Sequence, residues 1–263
     1  MIINTKSGLV LVLLAVFCAN LLETGWEASL HSGSPVSAAD SSGAYAVQQF
    51  EPAFIDFEFH DATAEWAMYA YSTAYFVLFP LLATGVLGAL LRRPALAPFR
   101  VITLAVAIDY LVSLPFFLLF PVPERWADPN SSAILLSDRW SAALIDSIRP
   151  MSAINNSFPS THVSLTVIMI LVCYVFRVRL RHTVAALGTM VMLATFVLGI
   201  HWLADIIAGL AVGSLSVALA WICTDTTGRR ELELASDAHS ARRKPSPLRE
   251  ATAVGFLKPG KAV

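Results

Sequence analysis

The chain has 263 residues, of which 56% are hydrophobic and only 14% charged, and its net charge is −1. A soluble domain needs far more charge on its surface, so this composition excludes an ordinary soluble enzyme and indicates a polytopic membrane protein. Nothing in the near-neutral charge balance suggests nucleic acid as a partner.

The first apolar segment lies near the N-terminus. Gly8–Leu22 is shorter than a typical span, and we interpret residues 1–22 as a transmembrane anchor. The alternative is a signal peptide, with Lys6 in its basic region and a distant cleavage site at Val36-Ser37-Ala38-Ala39. Residues 23–65 are acidic and contain no Lys or Arg, which predicts an extracytoplasmic segment.

Five longer apolar segments follow. A bilayer core about 30 Å thick needs roughly 20 apolar helical residues per span. The segments that meet this length are about 66–91, 99–121, 161–177, 183–200 and 203–223. Together with the N-terminal anchor, they predict an all-α fold, a bundle of six transmembrane helices. The third span contains Asp109, which is either a functional carboxylate or a partner for a neighbouring helix.

The distribution of Lys and Arg predicts the orientation of these spans. Arginines fill the loops after the second and fourth spans, and Lys and Arg recur throughout the tail that follows Asp225. By the positive-inside rule, both loops and the tail are cytoplasmic, and the loop 122–158 lies outside. The tail, residues 225–263, is polar and rich in Ser, Arg and Pro, which is typical of disorder.

The stretch "NSFPSTH", Asn156–His162, opens the fourth span at the outer side. Pro159 fixes the entry of the chain, and Ser160 is the expected N-cap of the helix. Such a start exposes backbone N–H groups at the positive end of a helix, a geometry that binds phosphate. The alternative is an ordinary capped helix with a histidine at its boundary.

A second histidine lies in "GIHWLADIIAG", between the fifth and sixth spans. The chain makes one crossing down and one back between His162 and His201, so both return to the outer face. His201 and Asp205 are four residues apart and share a face if the helix is continuous. A carboxylate there fixes the tautomer of the imidazole and leaves its other nitrogen nucleophilic. The alternative is a structural hydrogen bond between helices.

Three motifs occur in the order that a known enzyme superfamily shows. "RP" at Arg149-Pro150, "FPSTH" and "GIHWLADIIAG" resemble the three signature motifs of the type 2 phosphatidic acid phosphatase superfamily, over about residues 66–223. The resemblance implies the fold of that superfamily, a six-transmembrane-helix bundle. It also implies an enzyme that acts on a lipid phosphate ester through a phosphohistidine, without a metal.

The resemblance also implies roles for single residues. His201 is the implied nucleophile, Asp205 its orienting partner, and His162 the general acid that protonates the leaving oxygen. The residues implied to hold the phosphoryl oxygens are Arg149, Ser160 and Thr161. Further candidates for the site are Asn156, Thr195 and Asp109. These roles suit phosphoryl transfer, which mainly needs positioning and stabilisation of the equatorial oxygens.

The sequence departs from the superfamily pattern at two places. Ala142 stands where the first motif has lysine, and Ala194-Thr195 stand where the third has Ser-Arg. This sparser form resembles the branch of fungal inositol phosphorylceramide synthases and, more distantly, of sphingomyelin synthases, so we favour a lipid phosphotransferase. The alternatives are an undecaprenyl-diphosphate or phosphatidate phosphatase that uses water, and a non-catalytic protein that binds or transports a lipid phosphate.

No cofactor is expected. Cys18, Cys173 and Cys223 fall within or at the ends of apolar segments, and no pair has the spacing of metal ligands, so neither a disulfide framework nor a zinc site is indicated. The candidate site combines histidines, one carboxylate and hydroxyls, without a cluster of acidic metal ligands.

We therefore expect residues 66–224 to form the catalytic transmembrane domain. Its partners are a lipid phosphate substrate and the bilayer; the sequence leaves open the lipid, the acceptor and the oligomeric state. The expected location is the bacterial inner (cell) membrane, with the site facing the periplasm or exterior and the C-terminus in the cytoplasm.

The charge pattern predicts which positions an impermeant thiol reagent reaches in intact cells. On a background without native cysteines, Ser132→Cys in the outer loop should be labelled and Ser246→Cys in the tail should not, since only the first lies outside. Labelling of both after permeabilisation is the control. A tail cysteine that is labelled in intact cells would contradict the orientation.

Overall fold

The computed structural model describes residues 5–31, 46–50, 65–138, 140–141 and 153–243. Several predictions from sequence fall outside these ranges, including those on Arg149, Ala142, residues 51–64 and residues 244–263. The chain divides into two compact units, Met1–Trp221 and Ile222–Val263. The contacts described below lie within the first unit.

Helices are the regular elements of the described residues, which confirms the all-α prediction for that part of the chain. Their longer α-helices are α1 Lys6–His31, α2 Glu65–Thr73, α3 Phe79–Leu91, α4 Ala97–Leu119, α5 Thr161–Val175, α6 Arg181–Val197 and α7 Leu203–Arg243. A π-helical turn, Ala74–Leu78, joins α2 to α3, and a 3-10 turn, Arg125–Ala127, follows α4. In the described ranges, β pairing is limited to one isolated bridge between Val122 and Asn156.

Four helical segments are long and apolar enough to cross a membrane. They are Lys6–Glu27, Glu65–Leu91, Ala97–Leu119 and Leu203–Thr224. Large apolar side chains lie exposed along them, including Leu119 at 82% and Leu22 at 74%. In water such a surface would drive association, so the apolar helices indicate a membrane protein.

The six predicted spans are only partly confirmed, because α5 and α6 are shorter than a full span. They contain 15 and 17 residues. Polar capping by Ser160 sets the start of α5, and Arg177, at φ 48°, follows its end. Gly199, at φ 74°, turns the chain just after α6, where a Cβ would lie 2.6 Å from the Ile134 carbonyl oxygen.

α1 and α7 both extend beyond the boundaries predicted from sequence. α1 continues past Leu22 to His31 and buries Leu9 in a core shared with α3, α4 and α5. The Lys6 ammonium donates to the Arg93 carbonyl oxygen at 2.7 Å. Within the second unit, the backbone is helical as far as Arg243, where the sequence predicts disorder.

α5 and α7 approach each other closely at two glycines. A Cβ on Gly209 would lie 2.6 Å from the Ser160 carbonyl oxygen, and one on Gly213 would lie 2.5 Å from the Ser164 carbonyl oxygen. Both neighbours are backbone atoms, which move only if a helix moves. This close packing sets the distance between the helices that begin at the two histidine motifs.

We expect Gly213→Ala to lower the melting temperature of the purified protein in detergent. The added methyl group meets the α5 backbone, and overpacking of this kind costs about 1–3 kcal/mol. Gly88→Ala on α3 is the matched control, because a Cβ there meets nothing within 4 Å. In a helix this control should be neutral or slightly stabilising. Equal melting temperatures for both variants would contradict the close approach.

Candidate active site

The start of α5 is built as the sequence predicts. Ser160 is the N-cap residue, and its side chain accepts a hydrogen bond from Val163 N at 3.4 Å. The Phe158–Pro159 peptide before it is cis. Ser160 N donates to the Asp205 carbonyl oxygen at 3.2 Å, which ties the start of α5 to the start of α7. Thr161, the first residue of α5, is half-buried.

His201 meets Asp205 without a continuous helix between them. α7 begins only at Leu203, so the condition for a shared helix face is not met. Instead, the Asp205 side chain turns back over the helix start. Its Oδ2 accepts from Trp202 N at 2.9 Å and lies 3.2 Å from His201 Nδ1. His201 is 5% exposed and Asp205 is fully buried.

Ser157 also contacts the carboxylate of Asp205. Its hydroxyl donates to Asp205 Oδ2 and lies 3.1 Å from His201 Nδ1. Hydrogen bonds to a charged acceptor are stronger than neutral ones, so this group of donors holds both Asp205 and the His201 ring. Sequence reasoning assigned no role to Ser157. Its only signal was its place in the polar stretch before α5.

His162, the second residue of α5, lies near His201. The centroids of its ring and the His201 ring are 6.2 Å apart. Its Nδ1 lies 3.2 Å from the Tyr75 hydroxyl, and its ring stacks on Tyr75 at 4.3 Å. Tyr75 lies in the π-helical turn, directly before a helix in which Pro80 can donate no backbone N–H. That turn places an aromatic hydroxyl against His162.

The loop after α4 lies between the two histidine segments. Val122 N donates to the Asn155 carbonyl oxygen at 2.8 Å, and Arg125 N donates to the Ile200 carbonyl oxygen at 3.0 Å. The Arg125 guanidinium carbon is 5.9 Å from the Trp202 ring centroid, and the residue is 6% exposed. The loop therefore brings a buried cation beside the residue that follows His201, a position that no motif had indicated.

The other candidate residues have different surroundings. Asn156 donates from Nδ2 to Glu23 Oε1 at 2.6 Å. Thr195 is buried, and its hydroxyl donates to the Met192 carbonyl oxygen within its own helix. Asp109 accepts from the Ser164 hydroxyl at 2.9 Å, which links α4 to the first turns of α5. Arg149 lies outside the described residues.

A comparison with protein-family models decides the family. The model of the PAP2 superfamily matches residues 95–229, half of the chain. The chain belongs to the PAP2 superfamily. The match includes all three motifs and confirms the superfamily that they predicted. No curated protein and no solved structure gave a significant match.

Membership of the PAP2 superfamily supports an enzyme, because its members are phosphatases. Within the described part of the chain, no group of three His, Cys, Asp or Glu side chains is placed to hold a metal ion. The ionisable side chains at the centre of this site are Asp205, His162 and His201. α1, α2 and α3 lie before the region that the PAP2 model matches.

We expect Ser157→Ala to destabilise this PAP2 protein. The change removes one of three hydrogen-bond partners of Asp205 Oδ2, and a hydrogen bond to a charged group contributes about 1.5–3 kcal/mol. Thermal unfolding of the purified protein measures the loss. Ser214→Ala is the matched control, because Ser214 is exposed and, in the described part of the chain, its hydroxyl donates only to the Leu210 carbonyl oxygen of its own helix. An equal effect of both changes would contradict the role assigned to Ser157.

Proposed function

We propose that this PAP2 superfamily member transfers the phosphoryl-bearing group of a lipid phosphate ester through a phosphohistidine at the extracytoplasmic face of a membrane. One observation carries the proposal. His201 Nδ1 lies 3.2 Å from a buried carboxylate, and the ring of a second histidine, His162, lies 6.2 Å from the His201 ring.

His201 is the proposed nucleophile. With Nδ1–H held by Asp205, Nε2 carries the lone pair that attacks phosphorus. A P–N bond forms and the P–O bond to the leaving group breaks. The positive charge that develops on the imidazole is stabilised by Asp205. A hydroxyl of the acceptor then attacks phosphorus, the P–N bond breaks, and His201 returns to its starting state.

His162 is the proposed general acid and then the general base. It gives a proton to the leaving oxygen in the first step and takes one from the acceptor hydroxyl in the second. The contact between its Nδ1 and Tyr75 orients the ring, so that Nε2 is the nitrogen that exchanges the proton. The outgoing alcohol therefore leaves neutral, which a lipid alcohol requires in an apolar surrounding.

The start of α5 is proposed to hold the phosphoryl oxygens. Ser160 and Thr161 begin a helix at its positive end, where backbone N–H groups and hydroxyls stabilise negative charge. Arg149 is proposed to add a cationic contact, on the strength of its position in the first motif. Together these groups would neutralise the charge that spreads over the equatorial oxygens.

The finer assignment is transfer to a lipid hydroxyl, as in the inositol phosphorylceramide synthase-like branch. The departures at Ala142 and Ala194-Thr195 support it. Ala194 and Thr195 are uncharged and completely buried, so these two positions of α6 offer no cation to a phosphate. Hydrolysis, with water as the acceptor, uses the same histidines and is the alternative. A binding or transport protein has no need for the His201–Asp205 pair, which argues against that reading.

The proposed setting is the bacterial inner membrane. We propose that α5 and α6 also cross it, which gives six spans, with residues 66–224 as the catalytic domain and residues 225–263 in the cytoplasm. The segregation of Lys and Arg along the sequence supports this orientation. Residues 1–22 would belong to the first span, and the acidic segment 23–65 would face outward.

The acceptor can be identified with purified protein and labelled phospholipids, incubated with and without ceramide or diacylglycerol. We expect a new labelled phospholipid that appears only when the acceptor lipid is present, because transfer needs a lipid hydroxyl. Release of free phosphate or a phosphorylated alcohol, unchanged by the acceptor, would overturn transfer in favour of hydrolysis.

Substitution of the three central residues tests the covalent step. His201→Ala should abolish turnover and the trapping of labelled phosphoenzyme. Asp205→Asn should bind substrate but lose about two to four orders of magnitude in rate, as for other orienting carboxylates. His182→Ala is the matched control, because His182 is exposed on α6. Normal turnover by His201→Ala would show that another residue is the nucleophile.

A further inference from the structure

We propose that Glu23 and Glu27 of α1 are positioning residues for the active site. They lie outside the region that the PAP2 model matches, in the segment 23–65 for which the sequence predicts only an acidic, extracytoplasmic character. The inference rests on the proposed function, since it concerns the alignment of His201 and Asp205.

Two long-range hydrogen bonds join α1 to the loop before α5. Asn155 Nδ2 donates to Glu27 Oε1 at 2.7 Å, and Asn156 Nδ2 donates to Glu23 Oε1 at 2.6 Å. Both glutamates are 8% exposed. They are four residues apart, so they lie on one face of α1 and meet two consecutive residues of the loop.

The two bonds between glutamate and asparagine hold the loop next to Ser157, the residue that contacts His201 and Asp205. Ser157 follows Asn156 directly, and its hydroxyl contacts both Asp205 and His201. On the backbone side, Ser157 N donates to the Val122 carbonyl oxygen at 3.0 Å. The loop is therefore held from two directions, by the loop after α4 and by the carboxylates of α1.

Packing alone does not explain carboxylates at these positions. Removal of a carboxylate from water costs free energy, which a charge-assisted hydrogen bond only partly offsets. An apolar residue at the same places would anchor α1 at lower cost. The glutamates instead provide directional acceptors, and a directional contact defines the position of an asparagine side chain in a way that apolar contact does not.

The proposal requires α1 to remain part of the working protein. A signal peptidase cut at Val36-Ser37-Ala38-Ala39 would remove both glutamates. The intact mass of the purified protein should therefore include α1. A mass that corresponds to a chain starting near Asp40 would overturn the proposal.

The first test compares two double variants of the full chain. Glu23→Leu/Glu27→Leu removes both acceptors and should lower kcat by about 10²-fold with little change in KM, because a small misplacement of catalytic groups costs about that much. Glu23→Gln/Glu27→Gln keeps both carbonyl acceptors and should retain most activity. Ser29→Ala is the control at the same end of α1, because Ser29 is exposed and, among the described residues, its hydroxyl donates only to the Trp26 carbonyl oxygen of its own helix. Full activity of the leucine variant would overturn the proposal.

The second test measures the support of the loop by α1 directly and does not depend on enzyme turnover. Amide hydrogen exchange over residues 153–160 should be about tenfold faster in the leucine variant than in the glutamine variant or Ser29→Ala, since the loop loses one of its two supports. Exchange that does not change would overturn the proposal. If the wild-type protein turns over no lipid phosphate, the proposed function fails, while this measurement still decides whether α1 supports the loop.

Discussion

The structure depends on one buried carboxylate. Asp205 is fully buried, and one of its oxygens contacts Ser157, Trp202 N and His201. A charge in such a place is stable only when several donors converge on it. Those donors come from the loop before α5 and from the turn before α7. The requirement to satisfy one anion therefore brings together segments that are far apart in the chain.

The same requirement explains why the site is built at helix starts. Ser160 N donates to the Asp205 carbonyl oxygen, and Gly209 lets the α5 backbone approach α7 closely. Both helices begin at one place, so the positive ends of two helices face the same small volume. A PAP2 protein that transfers a phosphoryl group gains from this arrangement, because its fixed dipoles need no rearrangement as negative charge develops.

Local sequence rules predicted what local forces determine. Ser160 was recognisable as a cap, and the His201 to Asp205 spacing was recognisable as a pair. The two side chains do not meet on one helix face, however, because Gly199 turns the chain and α7 starts only at Leu203.

The roles of Ser157 and Arg125 could not be predicted from the sequence, because both depend on contacts with residues that are distant in the chain. The partners of Asn155 and Asn156 lie more than a hundred residues earlier in the chain, where no periodicity or motif could indicate them. Four of the six predicted spans have the length of a full crossing, while α5 and α6 are shorter, because hydropathy detects apolar length but not where a cap or turn ends a helix.

The length of α5 has a consequence for how a lipid reaches the site. Its 15 residues rise about 22 Å, which is less than the hydrocarbon thickness of about 30 Å. On the proposed topology, if the C-terminal end of α5 reaches the inner boundary, its N-terminal end begins several ångströms below the outer headgroup plane, and His162 lies at that depth. A phospholipid would then bring its ester to the histidines by sinking slightly and moving sideways, with its acyl chains still in the bilayer. The bilayer itself would act as the reservoir that feeds the enzyme, and water would have to enter a depression from above.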